Sequence, residues 1–136
     1  MSSMNVRYAG ALLLVVVGLA ACDASARRGR PTERELVRAY LDAASRGDAQ
    51  AIRLLISPLI VPPEQAIQTR LRTYGNRPFY EVNVELRYAV YVTSAAGSTA
   101  FLSGSTTDGT QHIPFRDVLS LVQVDNRWYL TLAAGD

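Results

Sequence analysis

Residues 79–92 read Phe79-Tyr80-Glu81-Val82-Asn83-Val84-Glu85-Leu86-Arg87-Tyr88-Ala89-Val90-Tyr91-Val92. Tyr80, Val82, Val84, Leu86, Tyr88, Val90 and Val92 occupy alternate positions, with Glu81, Asn83, Glu85, Arg87 and Tyr91 between them. Side chains of a strand point to opposite faces in turn, so this spacing predicts a long strand with one buried face. Upstream of Phe79 the period is helical. Thr32-Glu33-Arg34-Glu35 has the layout of a capping box, with the Thr32 hydroxyl on the Glu35 amide and the Glu35 carboxylate reaching back. Leu36, Val37, Tyr40, Leu41 and Ala44 then share one helical face, and Gly47 supplies the stop. Asp48 is placed to cap a second helix through Ala51, Ile52, Leu55 and Ile56, which Pro58 ends. Leu59-Ile60-Val61 reads as a very short strand. After Pro62-Pro63 a third helix is predicted through Ala66, Ile67, Leu71 and Tyr74, with Gly75 as its stop.

Downstream, the alternation continues between turn signals. Ala95-Ala96-Gly97-Ser98 is read as a turn, Thr99 to Thr107 as a second strand, and Asp108-Gly109 as a tight turn. A third strand covers Ile113 to Val124. Its apolar residues change phase, from Ile113 and Phe115 to Val118, Val122 and Val124 with Leu119 and Leu121 opposite, which calls for a bulge or for cover on both faces. Asp125-Asn126 turns the chain into a last strand, Arg127 to Ala133, with Trp128, Leu130 and Leu132 on one side. Helices first and four consecutive antiparallel strands after them make an α+β fold.

The amino-terminal region carries an address. Arg7 precedes an apolar run from Tyr8 to Ala21, shorter than the ~20 residues that span a bilayer as a helix. A positive start, a short apolar segment and small residues at the cut are the parts of a secretory signal. The run ends in Leu19-Ala20-Ala21-Cys22, and Cys22 is the single cysteine of the chain. This motif resembles the lipobox of bacterial lipoproteins. The resemblance implies recognition of Leu19, Ala20 and Ala21 by the signal peptidase, acylation of the Cys22 sulfur, and a mature chain that starts there. The alternatives are an ordinary signal peptide cut after Ala21 and a short amino-terminal anchor. An unpaired thiol on an exported protein invites intermolecular pairing, which favours acylation. Asp23 to Pro31 has almost no apolar content and reads as a flexible tether, in which Arg27, Arg28 and Arg30 either face anionic headgroups or keep the segment soluble. In Gram-negative lipoproteins, an aspartate in the place of Asp23 resembles the signal for inner-membrane retention. The expected organisation is a signal peptide over 1–21, lipidated cysteine and tether over 22–31, and one domain over 32–136.

Val37 to Ile52, with Gly47-Asp48 closing the first helix, resembles the opening of the nuclear transport factor two-like superfamily. Leu121 to Leu130 is similar to its terminal hairpin. The resemblance covers nearly all of residues 32–134, with a cystatin-like α+β fold as the neighbouring assignment. It implies a curved four-stranded sheet, or one with more strands, wrapping the first helix into a cone. Such a cone is filled by side chains, holds a small apolar ligand, or serves as an active site of the SnoaL-like and ketosteroid isomerase types.

Composition narrows the chemistry. The net charge is +2, and all 14 basic residues are arginine. No basic patch points to nucleic acid. One histidine, His112, cannot form a histidine cluster for a metal, and its place beside a turn reads as solvated surface. Asp42 falls near the buried edge of the first helix. Glu81, Glu85 and Arg87 read as a solvated sheet face with cross-strand charge pairs. Nucleophile-elbow, phosphate-loop and zinc motifs are missing from the sequence, and no cofactor is implied. Tyr40, Tyr88 and Trp128 are the candidates for lining a pocket. The reading is a lipid-anchored extracytoplasmic module that binds or assembles without catalysis, on the periplasmic side of the inner membrane in a Gram-negative envelope. Its expected partners are the bilayer through Cys22, an envelope protein, or a second copy through the sheet. The rival is a small-molecule binder or enzyme that uses the cone.

Overall fold

The computed structural model describes residues 28–89 and 97–132. The leader, Cys22, the first tether residues, Val90-Tyr91-Val92, Ala95-Ala96 and Ala133 lie outside the described residues. Three helices come first, α1 (Glu33–Ser45), α2 (Ala49–Leu55) and α3 (Glu64–Tyr74). Four strands follow, β1 (Phe79–Ala89), β2 (Gly97–Asp108), β3 (Gln111–Val124) and β4 (Arg127–Thr131). They form one antiparallel sheet in the order β1-β2-β3-β4, so the fold is α+β. Among the described residues no helix is long and apolar enough to cross a membrane.

Local chemistry sets the helix boundaries. The Thr32 hydroxyl accepts from the Glu35 amide at 3.2 Å, while the return bond from the Glu35 carboxylate is not formed. Gly47 adopts φ 68° after α1, letting its amide reach Ala44 O at 3.2 Å and the Asp48 amide reach Ala43 O at 2.9 Å. Asp48 then caps α2 by accepting from the Ala51 amide at 3.0 Å. These bonds satisfy groups that helix ends leave orphaned.

The core lies between the helices and one face of the sheet. Leu36, Tyr40 and Ala44 of α1, Ile52 of α2, Ile67 and Tyr74 of α3, and Ala100, Leu119 and Leu130 of the sheet are each fully buried. Burial of such side chains contributes about 1.5–3 kcal/mol for each large one, which is the main stabilising effect in a domain with no disulfide. Tyr74, Phe79 and Phe115 form a ring cluster with centroids 5.1–5.9 Å apart.

The structure corrects three sequence expectations. The apolar face of β1 is not buried throughout: Tyr88 is 68% and Val84 45% exposed, and Val82 and Leu86 are half-buried. β1 is the edge strand furthest from β4, and the buried side chains concentrate on β2, β3 and β4. A bulge between Phe79 and Glu81 also moves Tyr80 to the outer face, where it stacks on His112 at 3.9 Å. Gly104 sits opposite this irregularity, and a Cβ there would collide with the Glu81 carbonyl.

Secondly, Leu59-Ile60-Val61 forms no strand. The pairing falls earlier, at Ile56, which bridges to Leu130, and at Ser57, whose amide donates to Leu130 O at 2.9 Å. Pro58, Pro62 and Pro63 lack amide donors, so the residues between them turn instead of pairing. Thirdly, β3 has no phase change. Phe115, Asp117, Leu119 and Leu121 all point inward in an unbroken register with β2, and Val118 faces out. Asp117 is the polar residue that disguised the period.

Smaller differences lie at turns and at the tether. Gly97 and Ser98 already pair with Ala89 and Tyr88, so β2 starts before the predicted turn ends. Asp125 and Asn126 both take positive φ, 50° and 62°, as a two-residue hairpin turn requires. The last tether residues are laid on the sheet: Arg30 exchanges two backbone bonds with Trp128, at 3.0 and 2.8 Å.

Candidate functional site

Asp117 lies on the inward face of β3, beneath α1 and α3. Its Oδ2 accepts from the Tyr40 hydroxyl of α1 at 2.6 Å and from the Tyr74 hydroxyl of α3 at 2.7 Å. Its Oδ1 accepts from Arg70 Nη1 of α3 and from the Val118 amide, the latter at 2.8 Å. Arg70 Nη1 also donates to Val118 O at 3.1 Å. Asp117 and Arg70 are both only 8% exposed. A carboxylate offers about four lone-pair sites, and here four donors fill them. The group is therefore a strut between helices and sheet, with no vacant acceptor for a substrate proton.

The two tyrosines are tuned by the same burial. Desolvation pushes the Tyr74 hydroxyl up to about 12, against the opposing effects of neighbouring Tyr40 and then Arg70. Tyr40 is pushed higher still, first by burial and then by its neighbour Tyr74. Both stay protonated as donors throughout the physiological range.

A groove of about 380 Å³ opens between α1 and β1, lined by none of the strut residues. Val37, Leu41, Phe79 and Val84 form its apolar lining, and Arg34, Arg38, Asp42 and Ser45 its polar border. Asp42, expected near the buried edge of the helix, is exposed and pairs with Arg46 at 3.0 Å. The volume is within the range of small-molecule sites.

The candidate residues from the sequence do not meet here. Tyr40 is fully buried in the Asp117 network, Trp128 packs in the core beside Arg30, and Tyr88 stands exposed on the edge strand. None of the three lines the groove. Leu19, Ala20, Ala21 and Cys22 lie outside the described residues. His112 is exposed, as its place beside a turn suggested. Arg87 pairs with Glu85 along its own strand at 2.8 Å, not across strands, and lies 4.6 Å over the Phe101 ring. Among the described residues no group of three or more metal-ligating side chains is assembled.

Comparison of the chain with protein-family models, curated proteins and solved structures found no match. Sequence reading missed Asp117 and Arg70. The available signal was the phase itself, since Phe115, Leu119 and Leu121 in one register place residue 117 on their face.

Two outcomes follow from the strut. Asp117→Ala removes one partner of a buried pair and is expected to cost about 3–5 kcal/mol in denaturant unfolding. Replacing the set together, Asp117→Leu and Arg70→Met with Tyr40→Phe and Tyr74→Phe, should recover most of that loss, because no buried polar group is then left unpaired. A loss below about 1 kcal/mol for Asp117→Ala would refute the strut. The second concerns alkali. The folded tyrosine values lie above the unfolded value of about 10, so their contribution is complete below pH ~10 and is lost as pH rises toward the folded values. Unfolding free energy measured from about pH 9 to pH 12 should fall steadily, and a flat profile would contradict it.

Proposed function

We propose that the chain is a lipid-anchored extracytoplasmic lipoprotein whose α+β domain acts as a non-enzymatic binding or assembly module of the cell envelope. The observation that carries this reading is Cys22, the single cysteine, set directly after an apolar run too short to span. Two or more acyl chains hold a protein stably at a bilayer, which makes a spanning helix unnecessary. The saturated Asp117 carboxylate supports a scaffold role, because the best-buried acid of the described domain serves the fold. Cys22→Ala should release the protein from membranes and abolish incorporation of labelled fatty acid. A variant that stays in the membrane fraction without a retained leader would count against the anchor.

The groove favours a second reading, a site for a small apolar ligand with an acidic group. Val37, Leu41, Phe79 and Val84 would take the apolar part, and Arg34 and Arg38, one helical turn apart, the charge. Anilinonaphthalene sulfonate combines both features and serves as the probe. Arg38→Glu is expected to weaken its binding about fivefold, equivalent to ~1 kcal/mol. Equal affinity in the two chains would remove this reading.

A further inference from the structure

The loop after α2 presents apolar side chains to solvent. Leu59 is 76% and Val61 88% exposed, with Ile60 beside them. The loop is braced, since Ser57 Oγ accepts from the Leu59 amide at 3.2 Å and Ser57 O from the Ile60 amide at 3.3 Å. Pro58, Pro62 and Pro63 restrict it further. Contiguous exposed apolar side chains on a restrained loop are candidates for a contact surface.

Its location identifies the partner. The free edge of β4 receives two segments. Arg30 pairs with Trp128, and Ser57 donates to Leu130, two residues further along the same strand. The loop and the entering chain therefore leave this edge about 7 Å apart. The entry point is fixed: Gly29 packs on the Tyr129 ring so closely that a Cβ would overlap it, and Arg127 Nε donates to Arg28 O at 2.8 Å. Between Cys22 and Arg28 stand only Asp23 to Arg27, which extend to about 20 Å at most. A bilayer holding Cys22 is thus within reach of the β4 edge. The exposed Val84 and Tyr88 of β1 lie on the opposite edge of the sheet.

Charge agrees with a lipid surface. Arg28 is exposed, and Arg127 directs its guanidinium to the carbonyls of Arg28 and Gly29, not to a carboxylate. The nearest acid of the following helix, Glu64, is occupied by Arg53 in a two-bonded pair at 2.7 Å each. Apolar side chains on a loop that leaves the same strand edge as the arginine-bearing entering segment suit the boundary between headgroups and acyl chains.

We infer that Leu59-Ile60-Val61 is a second membrane contact, dipping into an anionic bilayer beside the tether and fixing the orientation of the domain. This rests on the lipoprotein reading for its geometry, and the test keeps the two separate. The full chain, isolated from membranes, is reconstituted into phosphatidylglycerol-containing vesicles with brominated acyl chains. Tryptophan is introduced by Val61→Trp, or by Asp108→Trp at the β2–β3 turn as the control, over the constant background of Trp128. Quenching at position 61 should be at least about threefold that at position 108, as interfacial insertion requires. Equal quenching at the two positions overturns the inference, whether or not the chain is acylated. Intact mass of the same sample reports the acyl groups. Strong quenching at position 61 in a chain without them would retain the loop contact and remove the anchor.

Discussion

The carboxylate of Asp117 ties the two halves of this fold together. It accepts from Tyr40 of α1, from Tyr74 and Arg70 of α3, and from the amide of Val118. Helices that pack on a sheet by apolar contact alone are free to slide by small amounts. A buried acid with every acceptor site filled penalises such slippage, because each displaced donor leaves an unpaired polar group in a dry interior. Phe79 and Phe115 pack on the Tyr74 ring, whose hydroxyl donates to the acid.

Much of this architecture was legible because its signals are local. Thr32, Gly47-Asp48 and Gly75 mark helix ends through bonds to residues within a few positions. Asp125-Asn126 marks a turn for the same reason. What escaped depends on partners far along the chain. Asp117 meets Tyr40 and Tyr74 across long sequence separations, so a lone acid in a strand looked like a break in the apolar period. Arg70 of α3 carries no local signal of burial, because its partner Asp117 lies 47 residues further along the chain. Tyr80 obeyed the alternation in sequence and broke it in space, because a bulge adds one residue to β1. Leu59-Ile60-Val61 has the composition of a strand, but prolines on both sides and the earlier pairing of Ile56 leave it exposed.

The candidate site was less legible than the fold. Of the aromatic residues at apolar positions, Tyr40 and Trp128 are buried, while Tyr80 and Tyr88 on the edge strand are exposed. Burial is a different property from lining a cavity, and the groove is instead bordered by short and charged residues of α1 and by the edge strand. Edge position explains this: no helix covers β1 as β2 and β3 are covered, so its apolar face is left half open.

The proposed role joins these facts through distance. If Cys22 is acylated as proposed, the five residues Asp23 to Arg27 keep Arg28 within about 20 Å of the bilayer, and the β4 edge with its apolar loop is the side proposed to face it. β1, which borders the groove, is the strand at the other edge of the sheet. The most direct test is the intact mass of the protein extracted from its native membrane. A chain beginning at Cys22 and heavier by its acyl groups is the predicted result. A bare thiol at Cys22, or a leader still attached, would contradict the account.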